Sequence, residues 1–214
     1  AALWALAMAA KPAAITVPIL WLAAAAATRP EEFKRHLARN LKLYLGCAAA
    51  CAAVVMAHVL METAQSRRFQ LPAELSWYGG SAARQWATEP RIVMHALKLI
   101  VWPVTLSADY SLQVFEPSRS LLEAKSFLAL AGCGGLAWLA WALRGKRPLE
   151  SFALAWILLA YAPMLHILPS MHNRETLAEH WLYLPLFGWA LLLGSLRENL
   201  RRFPKTAAAG FGVL

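Results

Sequence analysis

Three short stretches hold the side chains of this chain that could do chemistry. The first is Lys11-Pro12-Ala13-Ala14-Ile15-Thr16-Val17-Pro18. A lysine at membrane depth is costly and marks a site by default, and its ammonium meets a phosphate as a point charge. The same lysine also fits a plain proline turn whose side chain snorkels to the interface. The second is Trp102-Pro103-Val104-Thr105-Leu106-Ser107-Ala108-Asp109-Tyr110. Asp109 can orient a sugar hydroxyl or hold a cation; Ser and Asp equally suit a helix or turn cap. The third is Leu177-Ala178-Glu179-His180-Trp181-Leu182-Tyr183-Leu184-Pro185. A carboxylate is favoured near a helix N-terminus, and a histidine beside a carboxylate tends to stay protonated and so can pair with phosphate. The competing role is an N-terminal cap, with Trp181 and Tyr183 in an aromatic belt.

Other chemistries find no support. No G-x-S-x-G, P-loop or dinucleotide fingerprint occurs. His166, His172 and His180 do not repeat at a metal-ligand spacing on one element, so no zinc site is expected. Three cysteines in 214 residues exclude a disulfide scaffold. Cys47 and Cys51 read as small residues on one helix face, and Cys133 lies in Gly132-Cys133-Gly134-Gly135, where small residues let helices approach closely.

The elements that must position these stretches are set by apolarity. Apolar types make up 59% and charged types 15% of the chain, with a mean hydropathy of +0.45. A soluble domain averages about 45–50% and about 25%. Disorder is excluded as well, because it needs low hydrophobicity. The expected class is an all-α, polytopic transmembrane helical bundle. A span needs about 20 apolar residues. Five spans are expected, at 13–27, 43–60, 126–143, 151–168 and 181–196, with cut helices at 1–10 and 206–214. Residues 61–91 read as polar, with Pro72, Gly79, Gly80 and Pro90 as breakers.

Charge orients the bundle. The net charge is +9. A basic chain can bind nucleic acid, but here the cations sit between apolar runs rather than along one polar face, so no nucleic acid is expected. Stretches 29–42, 144–147 and 197–205 hold twelve Lys/Arg and, with Glu150 beside the second, only four acids (Glu31, Glu32, Glu150 and Glu198), whereas the rest of the chain holds nine Lys/Arg and eight acids. By the positive-inside rule the first set is cytoplasmic. Parity then forbids 92–106 from crossing. This segment is expected to lie along the outer interface or to dip in and return, with Lys98 snorkelling. Outer loops at 61–124 and 169–180 follow, and ordered outer loops are where chemistry sits. With Ala1 inside an apolar run, the chain is expected to begin partway through a longer protein.

The three stretches, in this order and around these spans, resemble one family: the GT-C integral-membrane glycosyltransferases of the transmembrane-and-TPR-containing protein O-mannosyltransferase type and their bacterial relatives. The family's lysine turn and proline-bearing helix look like Lys11 to Pro18. Its "WP..LS.DY" stretch is matched by Trp102, Pro103, Leu106, Ser107, Asp109 and Tyr110. Its "AER-aromatic-LYLP..G" stretch is matched by Ala178, Glu179, Trp181, Leu182, Tyr183, Leu184, Pro185 and Gly188. The family's arginine after the glutamate is His180 here, so a group that is always charged is replaced by one charged only when protonated.

The resemblance implies transfer of a sugar, mannose among the candidates, from a polyprenyl-phosphate donor to an acceptor hydroxyl, often on a protein. It implies a multi-pass bacterial inner-membrane protein whose active face is periplasmic. Glu179 and Asp109 are expected as supporting catalytic residues. Lys11, His180, Tyr183 and Tyr110 are expected to bind the substrate and its lipid phosphate. No metal and no cofactor beyond the donor is expected. The family's main catalytic acid would lie upstream of this chain, and its tetratricopeptide repeats downstream. The competing expectations are a transporter or flippase of lipid-linked sugars, which usually shows internal repeats that are not evident here, and a non-catalytic membrane scaffold.

Overall fold

The computed structural model describes residue 14 and residues 16–68, 77–104, 106–107, 110, 115–165 and 177–202. The cut helices expected at 1–10 and 206–214 lie outside them. Among the described residues the chain is all-helical, as composition requires, with no strand. The helices are α1 (Val17–Thr28), α2 (Phe33–Arg39), α3 (Leu41–Arg68), α4 (Ala82–Val101), α5 (Ala124–Leu143), α6 (Pro148–Tyr161) and α7 (Tyr183–Arg202).

Helix α6 is the hub, packing against α7, α5 and α1, while α4 packs on α5. Its start follows from sequence. Pro148 opens the first turn, where its missing N–H costs nothing, and Glu150 complements the helix dipole there. Two side-chain bonds lock it to its neighbours. Ser151 Oγ donates to the Ala140 carbonyl of α5 at 2.7 Å, and Trp156 Nε1 donates to the Leu184 carbonyl of α7 at 2.8 Å. Gly188 lets α7 lie close against α6. A Cβ there would stand 2.8 Å from the Ala153 carbonyl oxygen and 2.8 Å from Ile157 Cγ1.

Two of the five expected spans, Leu41–Met61 and Ala124–Leu143, are long and apolar enough to cross a membrane; α1 and α6 are shorter apolar helices. At about 1.5 Å per residue, the 20 residues of α5 reach about 30 Å. Large apolar side chains stay exposed along α3 (Leu45, Met56, Leu60, Met61) and α5 (Phe127, Leu128, Trp138, Trp141).

The region expected as a polar loop, 61–91, departs from that reading. Helix α3 runs on to Arg68, and α4 begins at Ala82 and continues through Pro90. A proline inside a helix costs about 3 kcal/mol. Here it is outweighed by a face that buries Gln85, Thr88, Glu89, Ile92, Ala96 and Leu99 at helical spacing. Ser81 caps this helix, its side chain accepting from the Arg84 N–H. Residues 92–101 of the segment expected at 92–106 are thus the second half of a longer amphipathic helix, which ends at Val101. Of the three glycines in that small-residue stretch, Gly132 alone would meet a neighbour, Met94 of α4.

The bundle has two chemically distinct ends. At one, α1 ends at Thr28 and α5 at Leu143. Gly145, at φ +77°, would place a Cβ 3.3 Å from Pro30, so the basic stretches 29–42 and 144–147 meet. At the other end, the close of α6, the C-terminal half of α4 and the entry to α7 bury Ile92, Ala96, Leu99, Tyr110, Phe115, Tyr161, Leu177 and Leu182 as one core cluster.

Candidate functional site

The site lies at this second end, where two stretches far apart in sequence join. Glu179 opens a short 3-10 turn, Glu179–Leu182, that leads into α7. Pro185 then falls in the first turn of α7, where no N–H is needed. This fixes the carboxylate at the mouth of the helix. Its Oε1 accepts from the Tyr110 hydroxyl at 3.0 Å and from the Ser107 N–H at 3.1 Å. The Ser107 N–H also donates to Tyr110 Oη at 2.9 Å, closing a triangle. Oε2 makes no hydrogen bond among the described residues.

Tyr110 is buried within the core cluster. Burial above all, and the Glu179 carboxylate after it, push its phenol above the ordinary range, against the downward pull of the Ser107 N–H. It therefore stays protonated at neutral pH and donates to Glu179. Its ring packs edge-on against His95 of α4 at 5.6 Å, and Phe115 meets the same imidazole at 5.0 Å. His95 Nε2 is buried with no hydrogen-bond partner among the described residues. Burial and the nearby Lys98 hold the imidazole below its ordinary pKa, so it is neutral at pH 7. The Tyr161 hydroxyl at the end of α6 is likewise buried without a hydrogen-bond partner among the described residues.

A polar lattice pins the loop that carries these groups. Thr88 Oγ1 donates to the Arg84 carbonyl at 2.7 Å and accepts from the Ser118 N–H at 2.8 Å. Ser118 Oγ accepts from Arg91 at 2.7 Å and from Ser126 Oγ at 2.8 Å. Arg91 also donates to the Glu116 carbonyl at 3.0 Å. Residues 116–118 are thereby bound to both α4 and α5. A Cβ at Gly79, φ +78°, would press within 2.7 Å of Pro117, so only glycine lets that turn lie so close.

The expected site residues distribute unevenly. Glu179 and Tyr110 come together. His180 is exposed and stacks edge-on with Trp181 at 5.8 Å, while the carboxylate beside it turns to Tyr110 and Ser107. Tyr183 is 75% exposed and stands outside the triangle. Lys11 and Asp109 lie outside the described residues. Ser107, as an amide donor, and His95 were missed as site residues. The signal for His95 was its presence in an apolar helical face, three residues before Lys98. Among the described residues no three His, Cys, Asp or Glu side chains gather into a metal-ligand set.

Comparison of the chain with protein families, curated proteins and solved structures finds no match.

Proposed function

We propose that this chain works within a multi-pass membrane glycosyltransferase. In this reading it moves a sugar from a polyprenyl-phosphate donor to an acceptor hydroxyl, on protein, at the outer face of a bacterial inner membrane. The observation that carries the reading is the Glu179–Tyr110–Ser107 triangle, which forms at the end of the bundle away from the basic stretches. Exposed apolar faces on α3 and α5 support the membrane setting, since soluble monomers rarely leave such surface uncovered.

The chemistry follows from the geometry. Glu179 is held through Oε1, so Oε2 keeps one position from which to orient an acceptor hydroxyl or take its proton. Burial of Tyr110 keeps a proton on the phenol that fixes the carboxylate. The departing lipid phosphate carries negative charge that cations stabilise. His180, exposed beside Glu179, is assigned that role together with Lys11.

The test is sugar transfer from a synthetic polyprenyl-phosphate mannose by the full-length protein in membrane vesicles. Glu179→Gln keeps the shape and removes the charge, and is expected to lower transfer by about a hundredfold or more. Transfer at the wild-type rate by a well-folded Glu179→Gln protein would sink the assignment.

A further inference from the structure

The opposite end of the molecule carries a second arrangement that the transfer chemistry does not use. Ala25, Arg29, Glu32, Arg35, His36 and Arg39 line a hollow of about 50 Å3 between the end of α1 and α2. Its lining sets three arginines and a histidine against one glutamate. That carboxylate is engaged only loosely, with Arg29 Nη1 4.0 Å from Glu32 Oε2. Arg35 and Arg39 make no ion pair among the described residues. The imidazole of His36 is held in place by Tyr44, with 3.1 Å between Nε2 and the hydroxyl oxygen. The stretch around Gly145, which packs on Pro30, brings Arg144, Lys146 and Arg147 to the same end. The lining therefore carries a positive charge surplus, relieved among its own residues only by the long Arg29–Glu32 pair.

We infer that this hollow binds a phosphate group. Guanidinium forks match the paired oxygens of a phosphate, and charge-assisted bonds of this kind are the strong ones. The hollow is small, about 50 Å3, which suits a compact anion such as a tetrahedral phosphate. Such a group reaches this place either on an anionic lipid headgroup, since juxtamembrane basic clusters attract anionic leaflets, or as a free phosphate. The inference stands apart from the transfer reaction, because the two sites lie at opposite ends of α6.

The experiment measures retention of phosphatidylglycerol, of phosphatidylcholine and of inorganic phosphate by the purified full chain in neutral detergent. Phosphatidylglycerol is expected to bind well above phosphatidylcholine. Arg35→Gln/Arg39→Gln is expected to weaken that binding about tenfold or more. Ala25→Leu, which fills the hollow and leaves every charge in place, should weaken it too and covers the case in which the double variant fails to fold. Lys34→Gln/Lys42→Gln removes the same charge outside the hollow and should leave binding nearly unchanged. Retention of inorganic phosphate with the same variant sensitivity, and no preference among lipids, assigns the site to a free phosphate. Binding that falls equally in the lysine variant would reduce the effect to surface charge and overturn the inference. So would binding indifferent to Ala25→Leu, or equal weak retention of all three probes.

Discussion

The two ends of the bundle handle polar groups in opposite ways. At the α4–α7 end, Thr88, Ser118, Ser126 and Arg91, and separately Ser107, Tyr110 and Glu179, bond to one another inside the fold. At the basic end, Arg29 has a single long ion pair, and Arg35 and Arg39 have none among the described residues. Buried polar groups must be satisfied internally or they cost free energy. Exposed charges carry no such obligation and remain available to an outside partner. The contrast teaches that one end is organised by the fold, whereas the other is organised by what surrounds it.

The strut between the ends is the first place to break this. Gly188→Ala would push a methyl group against the Ala153 carbonyl and Ile157, atoms of the helix hub that have little room to retreat. Overpacking of this kind costs about 1–3 kcal/mol. A thermal melt in detergent measures the loss. Gly134→Ala makes the control. Its Cβ would meet nothing, so it should be neutral or slightly stabilising. Next comes the polar end itself. Thr88→Val removes the acceptor of the buried Ser118 N–H while keeping the shape. An orphaned buried donor costs about 1–3 kcal/mol. A Thr88→Val protein that melted with the wild type would mean that the lattice does not hold this end.

Much of the contrast could be read from residue order. The alternation of apolar runs and basic stretches located α5, α6 and α7, and the contact between Gly145 and Pro30 agrees with placing 29–42 and 144–147 together. The stretches around Tyr110 and Glu179 were both expected on the outer side, but the bond that joins them was not legible. Contact between residues 69 positions apart depends on how α4, α6 and α7 pack, which local pattern does not encode. Pro90 misled for a related reason. Proline breaks helices as a local rule, but the buried face from Gln85 to Leu99 is a tertiary gain that overrides it. His95 was seen only as an oddity in an apolar run, because its significance lies in Tyr110 and Phe115 packing on it from a separate loop.

A smaller effect separates the ends by pH. In the folded chain the imidazole of His95 titrates below its ordinary value, because burial and Lys98 disfavour its charge. A depressed histidine contributes stability that is fully present above about pH 6.5, the unfolded value, and that is lost as pH falls through the folded value. Melting temperature should therefore drop between pH 7.5 and 5 more in the wild type than in His95→Phe, which keeps an aromatic ring against Tyr110 and Phe115 and cannot titrate. The difference between the two profiles isolates His95. Equal pH profiles would show that protonation at this position is tolerated and that the polar end is less tightly closed than its geometry indicates.

The smallest expected change completes the comparison. Arg29→Gln removes half of the pair at the basic end, but both side chains are largely exposed, at 74% and 55%, and lie 4.0 Å apart. Exposed pairs of this geometry are screened by water and cost side-chain entropy to hold, so stability in neutral detergent should move by less than about 0.5 kcal/mol. A loss approaching that of Thr88→Val would mean that the guanidinium does at this end what Ser118 and Ser126 do at the other, holding backbone in place. The basic cluster would then be an internal fastening whose charges are already committed, and the distinction between an end closed by the fold and an end open to its surroundings would fail.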